Sequence, residues 1–185
     1  MALSRHISSK QSRTGTSAVK PDCFLSYSTA EPTCKLLSTV VWIVFQNDYK
    51  LRLTPSALTS GSSQLTQIEK QIEKSAFGIV CLDGLRPNVI HEYGYMRGIK
   101  KPVILLKREN ATVDARLFLG GSAPELANPP LDVNVHLSNL KDINYATWYP
   151  DDPPKSAKAI WDEYNKMRKE FSTANLADVK EPHLW

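Results

Sequence analysis

Phe77-Gly78-Ile79-Val80-Cys81-Leu82 is an uninterrupted apolar run, bounded by Ser75 before it and by Asp83-Gly84 after it. Six residues of this kind between turn signals predict a strand covered on both faces, and such strands belong to parallel sheets flanked by helices. Working outward, Pro87 falls where a first helical turn tolerates proline, so Asn88–Ile99 reads as a helix that Lys100-Lys101-Pro102 interrupts. Val103–Leu106 is a second buried strand. On the amino-terminal side, Leu65, Ile68 and Ile72 have helical spacing with Glu69, Lys70, Glu73 and Lys74 turned outward, which predicts a surface helix over 62–75.

The rest of the chain continues the alternation. Asp22–Ser28 is a short apolar strand that opens into hydroxyl residues, Glu31–Gln46 has the length of a helix, and Tyr49–Leu53 alternates as a strand. Ser, Thr, Gly and Pro over 54–63 mark a loop. Lys107–Lys141 has loop-like composition and reads as an irregular excursion with one short helix at most. Ile143–Trp148 supplies a last strand, and Ala157, Ile160, Trp161, Tyr164, Met167 and Phe171 share one face of a final helix. Strands alternating with helices in this way predict an α/β fold: one three-layer domain over 21–172 with a five-stranded, mainly parallel sheet. A basic disordered tail over 1–20 and a short tail over 173–185 flank it.

Composition is that of a globular protein, with 42% hydrophobic and 23% charged residues. The net charge of +4 is carried by Arg5, Lys10, Arg13 and Lys20, which have no acidic residue among them, so the domain itself is close to neutral. A nucleic-acid partner is therefore not expected. Cys23, Cys34 and Cys81 have no metal-ligand spacing and are odd in number, which fits buried free thiols in a reducing, cytoplasmic setting. His6, His91, His136 and His183 are scattered, so no metal is expected. The longest apolar run, Val40–Phe45, is far below the ~20 residues of a spanning helix, and membrane insertion is not expected. No Gly-rich phosphate loop follows the first strand, which argues against a dinucleotide dehydrogenase.

In an open parallel sheet, ligands bind outside the carboxyl ends of the strands. Asp83 ends its strand there and is either a ligand contact or a turn former. Asn88 and Glu92, four residues apart near a helix start, share one face. Glu92 lies among Val89, Ile90, Tyr93, Gly94, Tyr95 and Met96, an apolar setting that makes its carboxylate a functional candidate. Gly94 suggests close approach by another backbone or a ligand. His91 points roughly 100° away from Glu92 and reads as a surface or packing residue.

The stretch Ile72–Gly84, followed by Pro87-Asn88-Val89-Ile90-His91-Glu92-Tyr93-Gly94-Tyr95 and Lys101-Pro102-Val103-Ile104-Leu105-Leu106, resembles the superfamily of TIR-like and nucleoside 2-deoxyribosyltransferase-like proteins. Pro130-Leu131-Asp132 and Ile143-Asn144-Tyr145 are similar to later motifs of that group, with Leu131 in place of an aromatic residue. The likeness spans most of 22–171, with its strong motifs in about forty residues. It implies a flavodoxin-like (TIR-like) domain that cleaves the N-glycosidic bond of NAD or a related nucleotide. NAD is then a substrate and no cofactor is needed. The resemblance assigns Glu92 as the catalytic carboxylate, Asp83 as a holder of ribose hydroxyls, Asn88 as a further polar contact, and Ser26, Tyr27 and Ser28 as a border for the base or phosphate. Tyr27 either stacks on the ligand or packs internally. The tight connection Leu85-Arg86-Pro87-Asn88 differs from the longer Asp- and Gly/Ser-rich stretch of the deoxyribosyltransferases, and the helix lacks the Ser/Cys-containing motif usual in TIR enzymes. Implied partners are a nucleotide or nucleoside and further copies of the chain, in the manner of an immune or stress effector. A non-catalytic nucleotide-sensing module and a nucleoside 2-deoxyribosyltransferase are the alternatives.

Overall fold

The structure is a computed structural model that describes residues 19–28, 32–53, 63–83, 86–109, 112–113, 131–132, 145–174 and 176–183. The basic tail over 1–18 and most of the excursion after Arg108 lie outside the described residues. The elements in chain order are β1 (Asp22–Ser26), α1 (Pro32–Phe45), β2 (Lys50–Leu53), α2 (Gln64–Lys74), β3 (Phe77–Cys81), α3 (Pro87–Gly98), β4 (Val103–Arg108), β5 (Thr112–Val113), β6 (Leu131–Asp132), β7 (Ala146–Trp148) and α4 (Pro153–Glu170). Five strands form a wholly parallel sheet in the order β2-β1-β3-β4-β7, and β5 pairs with β6 in a separate antiparallel ladder. The sheet order is that of flavodoxin-like folds, as the sequence predicts.

Alternation along the strands divides the interior in two. Cys23, Leu25, Ile79, Cys81, Ile104 and Leu106 face α1 and α4, whereas Phe24, Val80, Leu82 and Leu105 face α2 and α3. On the first side Phe45, Tyr49, Phe77 and Tyr164 meet edge to face, with ring centroids 5.0 to 6.2 Å apart. Their hydroxyls are bonded to one another, Tyr49 Oη to Tyr164 Oη at 2.8 Å. The C-terminal stretch closes this side. Tyr164 Oη donates to the Ala177 carbonyl (2.7 Å), Ala177 N–H donates to Tyr49 Oη (2.8 Å), Trp161 Nε1 donates to the Val179 carbonyl (3.0 Å), and Val179 is buried in the core.

The α2/α3 side is smaller, with Phe24 and Tyr93 set among aliphatic side chains. Ser63 caps α2 by accepting from Thr66 N–H (3.2 Å), and Ile68 and Ile72, one turn apart, are its buried residues. In α3 the buried stripe is Val89, Glu92, Tyr93 and Met96, spaced as one helical face. Met96 lies against Gly78, where an added Cβ would sit 2.3 Å from the Met96 sulfur, so the glycine of β3 is what lets the helix seat. The expectation for Gly94 is corrected here: its position meets nothing within 4 Å and is exposed, so the close approach belongs to Gly78. The helix ends in a Schellman turn. Lys101 N–H reaches the Met96 carbonyl (2.9 Å) and Lys100 N–H the Arg97 carbonyl (3.1 Å), with Lys100 in the left-handed region at φ 56°.

Candidate functional site

In chain order β2 and β3 lie on opposite sides of β1, so the direction of winding reverses between β1 and β3. In open parallel sheets such a reversal is where ligands bind beyond the strand carboxyl ends. β1 delivers Ser26 to this rim, in register with Val80 of β3, which is itself in register with Leu105 of β4. Ser26 follows Phe24 in the alternation and therefore lies on the α3 side of the sheet. It is fully buried, Ser28 is 4% exposed, and neither hydroxyl has a hydrogen-bond partner among the described residues. Buried hydroxyls in folded proteins normally have a partner, because leaving one unmade costs about 1–3 kcal/mol.

Glu92 belongs to the same side. It is 3% exposed on the stripe of α3 that packs on this face, between Val89 and Met96. Burial beside it raises the Tyr93 phenol above its ordinary range. Asn88, one turn nearer the helix start, is solvent-exposed. His91 is exposed on the outer face, where its Nε2 lies 3.8 Å from Glu69 Oε1 of α2, clear of Glu92.

Asp83 and Tyr27 go the other way. Asp83 is 1% exposed, and its two oxygens accept from the Arg108 backbone N–H (2.8 Å) and the Trp148 indole N–H (2.9 Å). One carboxylate thereby ties the carboxyl end of β3 to those of β4 and β7, through a tryptophan of the α1/α4 core. Tyr27 is half-buried and packs against that core as well. Of the residues singled out in the sequence, Ser26 and Glu92 are thus brought to one side of the sheet, and Asp83 and Tyr27 to the other.

Two basic residues were not singled out. Lys107, 7% exposed, follows Leu105 on the α3 side of β4, and Tyr145 steadies it: Nζ lies 3.4 Å from the phenol oxygen and 4.7 Å from the ring centroid. The available signal was a charged residue closing the apolar run Val103–Leu106 at a strand carboxyl end. Arg86 stands at the N-cap of α3 without capping it, the first turn of that helix holds no acidic side chain, and Arg86 Nε is buried without a hydrogen bond.

A cavity of ≈ 290 Å³ lies elsewhere, between α3 and α4 near the amino end of β4, lined by Tyr93, Arg97, Val103 and Met167 among others. Lysines on its wall are engaged, Lys101 by the Glu73 and Ser75 carbonyls and Lys166 by Glu163. It is no extension of the rim. Among the described residues Cys23 and Cys81 are buried cysteines outside any disulfide, and no three potential ligands gather as a metal site. No described helix is long and apolar enough to cross a membrane.

No protein-family profile matches the chain, and no curated protein matches it in sequence. Solved structures with a similar chain path include a conserved protein from Enterococcus faecalis V583, at 16% identity and a TM-score of 0.46, covering 76% of this chain and 98% of that one. Another is the TIR domains of the activated Roq1 resistosome that directly recognises the pathogen effector XopQ, at 15% identity and a TM-score of 0.41, covering 79% and 84%. Likeness at this level concerns the course of the backbone alone. The class defined by the strand order is a flavodoxin-like α/β domain.

Proposed function

We propose that this chain binds a nucleotide at the rim between β1 and β3 and cleaves its N-glycosidic bond, with NAD or a related nucleotide as substrate and Glu92 as the catalytic carboxylate. The observation that carries the reading is the burial of Glu92 on the same side of the sheet as Ser26, a buried hydroxyl with no hydrogen-bond partner among the described residues. The motif resemblance around Asn88-Val89 and Glu92-Tyr93-Gly94 supports the same assignment.

In this reaction the bond from the ribose anomeric carbon to the nicotinamide nitrogen breaks, and its electron pair neutralises the pyridinium. The ribose becomes oxocarbenium-like. A carboxylate held beside it stabilises that charge or adds to the anomeric carbon, and water then supplies oxygen to the new bond and releases a proton. Asp83 acts as a positioning residue that holds the ends of β3, β4 and β7, and Asn88 contributes a polar contact from the exposed first turn. Self-assembly and a role in immune or stress signalling belong to the same proposal.

Following nicotinamide release from NAD by the purified chain tests it. Glu92→Gln is expected to lower the rate by about 100-fold or more. An undiminished rate in that variant removes the mechanism, and saturable nucleotide binding with no product selects the sensing module instead.

A further inference from the structure

The cavity between α3 and α4 takes no part in the nucleotide reading of the rim. It holds ≈ 290 Å³, close to the lower bound of about 300 Å³ for small-molecule pockets. We infer that it binds a free α-amino acid with an apolar side chain of leucine's size. The first ground is Tyr93, which lines the cavity. It is only 8% exposed, and its hydroxyl has no hydrogen-bond partner among the described residues. A phenol buried this deeply normally finds one. Burial raises the phenol above its ordinary range and the Arg97 charge opposes that rise, which sets the guanidinium close to it. The second ground is a strand edge. Gly78 N–H donates to the Pro102 carbonyl and Leu82 N–H to the Leu106 carbonyl, so alternate residues of β4 turn their backbone groups to β3 and Val103 turns its own the other way. β7 accompanies that edge only from Leu106 on, so the N–H and C=O of Val103 meet no neighbouring strand among the described residues. Val103 also lines the cavity.

Charge selects the ligand. On the α3 side Arg97 has no ion-pair partner among the described residues, and Lys101 is held by the carbonyl oxygens of Glu73 and Ser75 rather than by a carboxylate. On the α4 side Lys166 pairs with Glu163, which leaves Glu170 without a cation among the described residues. Arg97 and Glu170 thus border one cavity without meeting in an ion pair. A zwitterion answers both. Its carboxylate accepts from Arg97, with Tyr93 and the Val103 N–H as further donors, and its ammonium donates to Glu170, with the Val103 carbonyl as a further acceptor. A plain carboxylic acid leaves Glu170 unanswered, and a plain amine leaves Arg97 so. Leu105, Met167 and Phe171 supply an apolar wall for the side chain.

Titration calorimetry of the full chain with L-leucine, isocaproate, isoamylamine and N-acetyl-leucinamide tests the inference. Leucine is expected to bind saturably, and isocaproate and isoamylamine, which each lack one of its charges, at least about tenfold more weakly. Arg97→Gln and Glu170→Gln stand at exposed positions and should leave the fold intact. Each should weaken leucine by about tenfold, the first leaving isoamylamine and the second leaving isocaproate unchanged. Tyr93→Phe should weaken leucine by about three- to tenfold. No saturable binding of leucine would overturn the inference, as would leucine binding undiminished in both Arg97→Gln and Glu170→Gln. Isocaproate bound as tightly as leucine would overturn it by making the cavity a site for carboxylates at large. N-acetyl-leucinamide bound as tightly would do so by making the strand edge a seat for peptide. Failure of the glycosidase reading leaves the inference standing, since none of these residues belongs to the rim.

Discussion

Buried serines on the two faces of the sheet meet opposite surroundings. On the α1/α4 side Tyr49, Tyr164, Trp148 and Trp161 are each hydrogen-bonded, and even Asp83 is absorbed by an indole and a backbone amide. On the α2/α3 side Phe24 and Tyr93 sit among aliphatic side chains, Ser75 Oγ donates to the Gln71 carbonyl (2.8 Å), and Ser26 at the carboxyl-end rim has no hydrogen-bond partner among the described residues. Ser156 and Ser26 make the contrast sharpest, since both are fully buried serines. Ser156 Oγ accepts from Tyr149 N–H (2.7 Å) and donates to the Tyr149 carbonyl (2.8 Å), whereas Ser26 Oγ has no hydrogen-bond partner among the described residues. Polar groups that serve the fold are satisfied within it. A buried hydroxyl left without a partner carries a cost the rest of the fold must offset.

That division can be broken most severely at Asp83. Asp83→Ala leaves the Trp148 indole and the Arg108 amide without their acceptor and is expected to cost about 3–5 kcal/mol in chemical denaturation, since bonds to charged groups are worth more than neutral ones. A loss under about 1 kcal/mol would mean that this carboxylate does not serve the α1/α4 side as argued. Next comes Tyr164→Phe, which removes one of the hydrogen bonds from α4 to the C-terminal stretch and should cost about 1–2 kcal/mol. It also bears on pH. Burial, and then the bond to Tyr49, raise the Tyr164 phenol above its ordinary 10.0, and burial raises the Cys23 thiol from 9.0 to about 12. The folded chain therefore keeps protons that the unfolded chain has lost, and stability is fully present below pH 9 and falls as pH rises from there. The urea midpoint followed against pH should show this decline, and Tyr164→Phe should flatten its part above pH 10.

The smallest effect is the most discriminating. Ser156→Ala should cost about 1–2 kcal/mol and Ser26→Ala no more than about 0.5 kcal/mol in either direction. Equal losses would erase the contrast between the faces and, with it, the case for an open ligand rim.

The alternation of strands and helices was legible because each element carries its own period. Phe77–Leu82 and Val103–Leu106 read as buried strands, and Leu65, Ile68 and Ile72 as a helix face, and all three lie within or beside the elements observed. The candidacy of Glu92 was legible from its apolar surroundings, which the buried stripe of α3 explains. Other features were out of reach of local pattern. That Asp83 spends both oxygens on Arg108 and Trp148 depends on residues 25 and 65 positions away. Gly94 invited a close-approach reading that belongs to Gly78, because only the seating of α3 decides which glycine meets Met96. Lys107 closes its strand like many surface lysines, and its burial follows from Tyr145 and the packing of that edge.

The amino-acid sequence by itself determined the parallel α/β architecture and the helix that carries Glu92, since hydrophobic period and turn chemistry act over a few residues. Only the tertiary structure decided which face of the sheet each polar group meets. Satisfaction of a buried hydroxyl or carboxylate depends on donors and acceptors brought from distant strands, and no local period encodes those meetings.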